Sequence, residues 1–294
     1  MTTIKLFSDS SCDTPSELLE QYDITRIPFY VSFDQKQYYK EIEEISIETF
    51  YHKLQSEPIF PKTSLPSVQD YIDHFKTALE DGKDIICLCI TSLFSGSYQS
   101  ACSAKEILEE DYPNAKIAVI NSMQATSGEG ITLMQAAKMK EAGYSFEQIV
   151  KRLEEIIPTS RIIFTVGTLE YLQKGGRVGK AASLAGSILN LKPILQLKEG
   201  ELYPIGTVRG RNKSLDRIIT LVEEHFKDIG EDYSSYDFTL LYANQLEEAS
   251  KLKSSLENLI GRPITYPLSK IGVTIGTYTG PDAFGVCFIK KYNT

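Results

Sequence analysis

Long hydrophobic runs are missing from this 294-residue chain. No stretch of about 18 or more uncharged apolar residues occurs, so no membrane-spanning helix is expected. Residues 1–9 lack the basic and apolar regions of a secretory signal, and the expected location is cytoplasmic. Cations are scarce as well: 31 Lys and Arg against 39 Asp and Glu give a formal charge of -8. Holding a nucleic acid by its phosphates needs a dense basic surface that releases counterions, which argues against that partner. The three histidines, His52, His74 and His225, show no HExxH-like spacing, so no histidine-based metal site is expected. The five cysteines, Cys12, Cys87, Cys89, Cys102 and Cys287, are odd in number and form no CxxC pair. They fit a reducing compartment better than a disulfide framework. Cys87 and Cys89, two apart in an apolar run, are expected on one face of a strand as small core fillers.

What the chain does have is an ordinary globular composition, 42% hydrophobic and 24% charged, with enough length for two domains. Residues 4–7 predict a strand, and Asp13-Thr14-Pro15-Ser16-Glu17 predicts a helix start with Thr14 as N-cap, Pro15 at N1 and Glu17 at N3. A strand over 26–33, a helix over 46–55 and a helix over 68–80 capped by Ser67 follow. Residues 84–91 are almost continuously apolar, as in a parallel strand buried on both faces, and 116–120 repeat the pattern. This alternation predicts a Rossmann-like parallel sheet over residues 1–164, with ligands gathering at the carboxyl ends of the strands. Residues 162–166 read as a linking strand. Beyond it come a helix near 181–190, a hairpin (192–197 and 201–208, turned at Glu199-Gly200), helices over 212–226 and 246–259, and strands over 237–242, 264–267 and 283–290. This second half, 165–294, predicts a mixed-sheet α/β sandwich. The expected fold class is therefore α/β, with two α/β domains.

Four loops after predicted strands are crowded with hydroxyls and glycines: 8–11, 63–67, 91–97 and 122–128. Hydroxyls and helix-terminal N–H groups suit an anionic head group, although the same residues also cap helices and build turns. A serine nucleophile fails on detail, because Ser95 has no GxSxG elbow around it and no histidine in a matching loop. Residues 174–181 resemble a phosphate loop, but Lys174 stands where glycine is needed and Ala181 where Ser or Thr would hold magnesium. With Arg209 and Arg211 these residues form the densest basic feature, fit for a phosphate, an acidic partner face or plain solvation. Residues 275–285 read as a glycine-spaced loop that brings Tyr278 either to a ligand or merely around a turn.

Six motifs in order now carry a resemblance: Asp9-Ser10-Ser11-Cys12-Asp13, Thr63-Ser64-Leu65-Pro66-Ser67, Leu93-Phe94-Ser95-Gly96-Ser97-Tyr98-Gln99-Ser100-Ala101, Leu172-Gln173-Lys174-Gly175-Gly176-Arg177-Val178, Leu191-Lys192-Pro193-Ile194 and Gly276-Thr277-Tyr278-Thr279-Gly280-Pro281. Together they resemble the DegV family over nearly the whole chain. That resemblance implies two α/β domains enclosing one long-chain fatty acid. Characterised bacterial members are binding subunits of a fatty acid kinase, a separate enzyme that phosphorylates the bound acid to an acyl-phosphate for phospholipid synthesis. It further implies that Thr63, with Ser64 beside it, Ser95 and the Gly96 amide bind the carboxylate. Tyr278 stands where the family usually offers a histidine; a phenol still donates a hydrogen bond but supplies no charge near neutrality. Arg177, and more loosely Arg209, would face the kinase and its phosphate. Burying ~15 methylenes at about 0.8 kcal/mol each gives roughly 12 kcal/mol gross, so affinity would reside in the tail and orientation in the head. The expectation is a lipid-binding carrier without its own catalysis, metal or cofactor. Two alternatives stand beside it: a stand-alone acyl or phosphoryl transferase using the Ser95 loop, and a lipid-sensing regulatory module that binds a protein through the Arg177 patch.

Overall fold

Strands Ile24–Ile27, Ile4–Asp9, Asp84–Cys89 and Ile117–Asn121 lie side by side in that order, every pair parallel. The structure is a computed structural model describing residues 3–184 and 191–294. The period of two along these strands sorts their side chains. Phe7, Ile85, Cys87 and Cys89 pack with Tyr71, Phe75 and Ala101 from helices Val68–Glu80 and Ser97–Asp111. Leu6, Ile86 and Leu88 pack on the opposite face with Ile131 and Met134 of helix Thr126–Glu141. Asp84–Cys89 is buried throughout, as its apolar run predicts, and Cys87 and Cys89 share a face with their sulfurs 3.8 Å apart.

Ser67 starts helix Val68–Glu80 through a reciprocal cap: its hydroxyl accepts from Asp70 N at 3.1 Å, and the Asp70 carboxylate accepts from Ser67 N at 2.7 Å. Replacing Ser67 with Ala leaves the Asp70 N–H with water alone. We expect a loss of about 1 kcal/mol, read as a lower urea midpoint at unchanged slope.

The second lobe is a six-stranded sheet in the order Glu201–Arg209, Leu191–Lys198, Arg161–Thr165, Phe284–Lys290, Tyr236–Tyr242 and Ser269–Lys270. All pairs are antiparallel except the last. Arg161–Thr165 is therefore no linker, since it pairs on both sides inside this sheet. The expected boundary between 164 and 165 falls within that strand. Helix Thr126–Glu141 lies between the two sheets and is buried without interruption from Thr126 to Ala137. Its glycines permit this: a Cβ on Gly128 would lie 2.8 Å from Ile162 Cδ1 of the second sheet, and one on Gly130 2.6 Å from the Cys12 carbonyl of the first lobe.

Several local expectations are corrected. Helix Ser16–Gln21 begins after Pro15, not Thr14, and no side chain caps it. Asp13 takes a left-handed φ of 48° and directs its carboxyl to Thr126 and Gly272, leaving the Thr14 hydroxyl without a partner. The strand expected over 26–33 is two strands in different sheets, because Pro28 has no N–H to continue the parallel ladder. Tyr30–Ser32 pairs instead with Tyr39–Lys40 and Lys62–Ser64 in a small antiparallel sheet that the sequence did not suggest. Residues 264–267, between Pro263 and Pro267, are not a strand; Ser269–Lys270 forms the edge. The polar stretch 122–128 runs into its helix already at Thr126. Of the helix expected over 181–190, a 3₁₀ segment Gly179–Leu184 is present, and the remainder lies outside the described residues. Residues 273–279 form a helix, Val273–Thr279, where a loop was expected. Among the described residues, no helix is long and apolar enough to cross a membrane.

Candidate functional site

Three chain segments meet between the lobes. The Lys62–Ser64 strand, paired to Tyr30–Ser32, brings up Thr63 and Ser64. The turn after Asp84–Cys89 brings up Phe94 and Ser95: Phe94 N and Ser95 N both donate to the Thr91 carbonyl, at 3.0 and 3.3 Å. The Thr91 hydroxyl donates at 3.2 Å to the carbonyl of Gly200, in the second lobe's hairpin turn. Helix Val273–Thr279 contributes Thr274, Ile275 and Tyr278. Together with Phe29, Leu65, Ile90, Ala125 and Arg177 these residues line a cavity of about 220 Å³.

Tyr278 Oη and Thr63 Oγ1 are 2.7 Å apart, so two hydroxyls meet on the cavity wall. Ser95 Oγ accepts from Ser97 N at 3.2 Å, and Gly96 occupies the capping position of helix Ser97–Asp111, where no side chain serves as cap. The first turn of any helix leaves backbone N–H groups without intrahelical acceptors. Arg177 lies with its guanidinium carbon 5.0 Å from the Tyr278 ring centre. It donates from Nε to the Phe94 carbonyl at 3.0 Å and from Nη1 to the Gly175 carbonyl at 2.7 Å. This is a floor of apolar side chains, a wall of neutral hydroxyls, and one cation braced beside them. Such a set matches a carboxylate or phosphate head with an apolar body.

The glycine pair that resembles a phosphate loop has a different task. Gly176, at φ 73°, ends helix Glu170–Gly175, with its N–H donating to Gln173 O and Arg177 N to Leu172 O. A Cβ on Gly175 would lie 2.2 Å from Tyr278 Cδ1, so the missing side chain is what admits the tyrosine ring.

Of the residues singled out from the sequence, Thr63, Ser64, Ser95, Arg177 and Tyr278 line the cavity, and Gly96 adjoins it through Leu65, 3.2 Å from where its Cβ would be. Arg209 is not among the lining residues; it is exposed at the end of the edge strand Glu201–Arg209. The loop 8–11 is not part of this wall either. Its hydroxyls are taken up by buried carboxyl groups: Ser8 bonds Glu129, Ser10 donates to Glu41, and the Ser11 hydroxyl lies between Asp9 and Glu129, at 2.5 and 2.9 Å, with one proton to give. Thr274, Ile275, Phe29, Ile90 and Ala125 were not foreseen. Thr274 lies four residues before Tyr278, a spacing that signals a shared face only once 273–279 is known to be helical. Among the described residues no histidine lines the cavity, and neither histidine nor carboxylate hydrogen-bonds Ser95 Oγ. Three larger surface clefts, of about 460, 380 and 260 Å³, share no residue with it. No group of His, Cys, Asp and Glu among the described residues could hold a metal ion.

Comparison with known proteins adds the lineage. A sequence model described as "Uncharacterised protein, DegV family" matches residues 3–291. The chain belongs to the DegV family. A DegV domain-containing protein of Caldanaerobacter subterraneus subsp. tengcongensis is 35% identical over 292 residues, covering 99% of this chain and 100% of that protein. A stearic acid-binding protein from Eubacterium ventriosum has the same fold at a TM-score of 0.94 and 36% identity, with 100% of this chain and 99% of that one covered. The fatty-acid-binding DegV of Bacillus subtilis aligns at a TM-score of 0.84 and 30% identity, over 99% and 100% of the two chains. The two-lobed architecture, a parallel sheet and a mixed sheet, is thus the DegV fold.

Proposed function

We propose that this DegV protein binds one long-chain fatty acid between its lobes and presents the carboxylate to a separate cytoplasmic kinase for acyl-phosphate formation. The observation that carries this reading is the meeting of the Thr63 and Tyr278 hydroxyls on the wall of a cavity floored by Phe29, Ile90 and Ala125. Those three belong to one apolar cluster with Ile162, Phe164, Leu195 and Leu197 of the second sheet. The cavity of about 220 Å³ is smaller than the roughly 300–1,000 Å³ usual for small-molecule sites. It suits the head and first methylenes, and the tail enters the cluster by parting side chains from both lobes. Thr63, Ser64, Ser95, the Gly96 amide and Tyr278 hold the carboxylate in this reading. Arg177, braced at the Ser95 turn, faces the kinase and the transferred phosphoryl group; exposed Arg209 belongs to the same partner-facing side. The carrier role needs no metal, cofactor or nucleophile of its own.

Native mass spectrometry of the purified protein incubated with palmitate tests the core of this. The expected result is a mass above the denatured mass by one fatty acid, and a clean apo mass after incubation would overturn the reading. Thr63→Ala combined with Ser95→Ala removes two donors, each worth roughly 0.5–1.5 kcal/mol, or more toward a charged acceptor. Palmitate release from the double variant is expected to be about tenfold faster or more. Arg177→Glu is expected to reduce phosphoryl transfer in the presence of a fatty acid kinase by more than it reduces palmitate retention.

A further inference from the structure

The helix that carries Tyr278 begins at Gly272, which has no side chain with which to cap it. Its first N–H groups are taken by two carboxylates from the distant first lobe. Gly272 N donates to Asp13 Oδ1 at 2.8 Å, and Thr274 N donates to Glu41 Oε1 at 3.1 Å. The Thr274 hydroxyl adds a bond to Glu41 Oε2 at 2.7 Å, and Ser10 Oγ donates to the same oxygen at 2.6 Å. Glu41 is 1% exposed, and among the described residues no lysine or arginine lies within ion-pair distance of it. A carboxylate placed there is satisfied by these donors alone, so its position and that of the helix are fixed together. Gly272 is required by this approach: a Cβ there would lie 2.5 Å from both Asp13 Oδ1 and Glu41 Oε1.

Thr274 and Tyr278 are four residues apart on one helix face, and both line the cavity. We propose that Glu41 is a positioning residue for Tyr278: by holding Thr274 at two atoms it sets the helix at the height and rotation that bring the phenol to Thr63. Ser10, which bonds Glu41, also accepts at 2.9 Å from the N–H of Phe29, so one carboxylate joins the apolar floor to the hydroxyl wall. The consequence for ligand binding rests on the head-group reading above; the positioning of the ring does not.

The test is a double-mutant comparison with two readouts. The first is the ¹³C ring resonance of Tyr278 in the protein as purified, assigned by its loss in Tyr278→Phe. Glu41→Gln is expected to move it. The second is release of ¹³C-carboxyl palmitate, expected to be about five- to tenfold faster in Glu41→Gln, the effect of one misplaced donor to a charged acceptor. In the Tyr278→Phe background, Glu41→Gln should add less than about twofold, because its effect passes through the ring. A merely structural Glu41 would lower thermal stability equally in both backgrounds and leave the resonance and the non-additivity absent. An unmoved resonance, or full additivity of the release rates, overturns the proposal. Should Glu41→Gln fail to fold, Thr274→Val removes the hydroxyl from the helix side and gives the same comparison. A wild-type protein that takes up no palmitate removes the head-group reading, while the resonance still decides the positioning.

Discussion

Gly130→Val is expected to abolish cooperative folding, and Gly130→Ala to cost about 1–2 kcal/mol net although alanine is the better helix former. The helix Thr126–Glu141 is wedged between two sheets, and a Cβ at Gly130 would lie 2.6 Å from the Cys12 carbonyl and 2.7 Å from Thr14 Oγ1. The first of these is backbone in a buried 3₁₀ turn, Ser10–Cys12, and has no rotamer to yield. Relief therefore requires the helix to move, which on its other side drives Gly128 into Ile162. Overpacking of this kind costs roughly 1–3 kcal/mol, sometimes more, against about 1 kcal/mol gained in helix propensity. Valine adds two further methyl groups and exceeds what a domain with about 5–15 kcal/mol of total stability absorbs. Urea unfolding followed by circular dichroism checks both variants. Thr14→Ala in the Gly130→Ala background removes one of the two close contacts and should recover only part of the loss. A Gly130→Ala protein as stable as wild type would show that the lobes are not seated on this helix.

The elements legible in the sequence are those whose pattern and environment agree. Asp84–Cys89 has helices on both faces and reads as an unbroken apolar run; Glu199-Gly200 turns a hairpin as its composition predicts. What escaped were segments where tertiary contacts override local preference. Val273–Thr279 is rich in β-branched residues and glycine, which disfavour a helix, yet it is helical because it is buried and its end is capped by Asp13 and Glu41. Thr277 and Thr279 spend their hydroxyls on carbonyls one turn back, an internal arrangement that leaves no trace in spacing. For the same reason the spacing of Thr274 and Tyr278 carries no visible signal of a shared face. Thr63, Ser95 and Tyr278 were legible through their motifs, whereas Phe29, Ile90 and Ala125 are small or apolar residues that nothing local distinguishes from core.

Stability should fall as pH rises above about 4 toward the raised folded values of three buried carboxyls, the reverse of the usual acid sensitivity. Burial pushes Asp9 upward, only partly offset by hydrogen bonds from Ser11, Ser97 and Ile90. Burial, and then the neighbouring Glu41, push Asp13 well above the ordinary carboxyl range; burial, and then Asp9, do the same for Glu129. A carboxyl whose folded value lies above its unfolded value, about 4, binds its proton more tightly in the native state. Its contribution is complete below the unfolded value and is lost as pH rises toward the folded one, by up to about 1.4 kcal/mol per pH unit for each group. Two other groups oppose this trend at lower pH. Asp237 is held low because Lys138, Gln135 and Tyr266 outweigh its burial, and its contribution is lost only as pH falls below about 4. His225 is lowered by burial and by Arg161, so it opposes the trend only below about pH 6.5, where the unfolded histidine charges. Glu129→Gln replaces the carboxyl with a neutral amide beside Ser8 and Ser11. It should flatten the fall of stability with rising pH and raise the urea midpoint most at the alkaline end. A wild-type midpoint that climbs steadily as pH rises above about 6.5, or a Glu129→Gln slope equal to that of wild type, would show that these carboxyls are not held above the ordinary range.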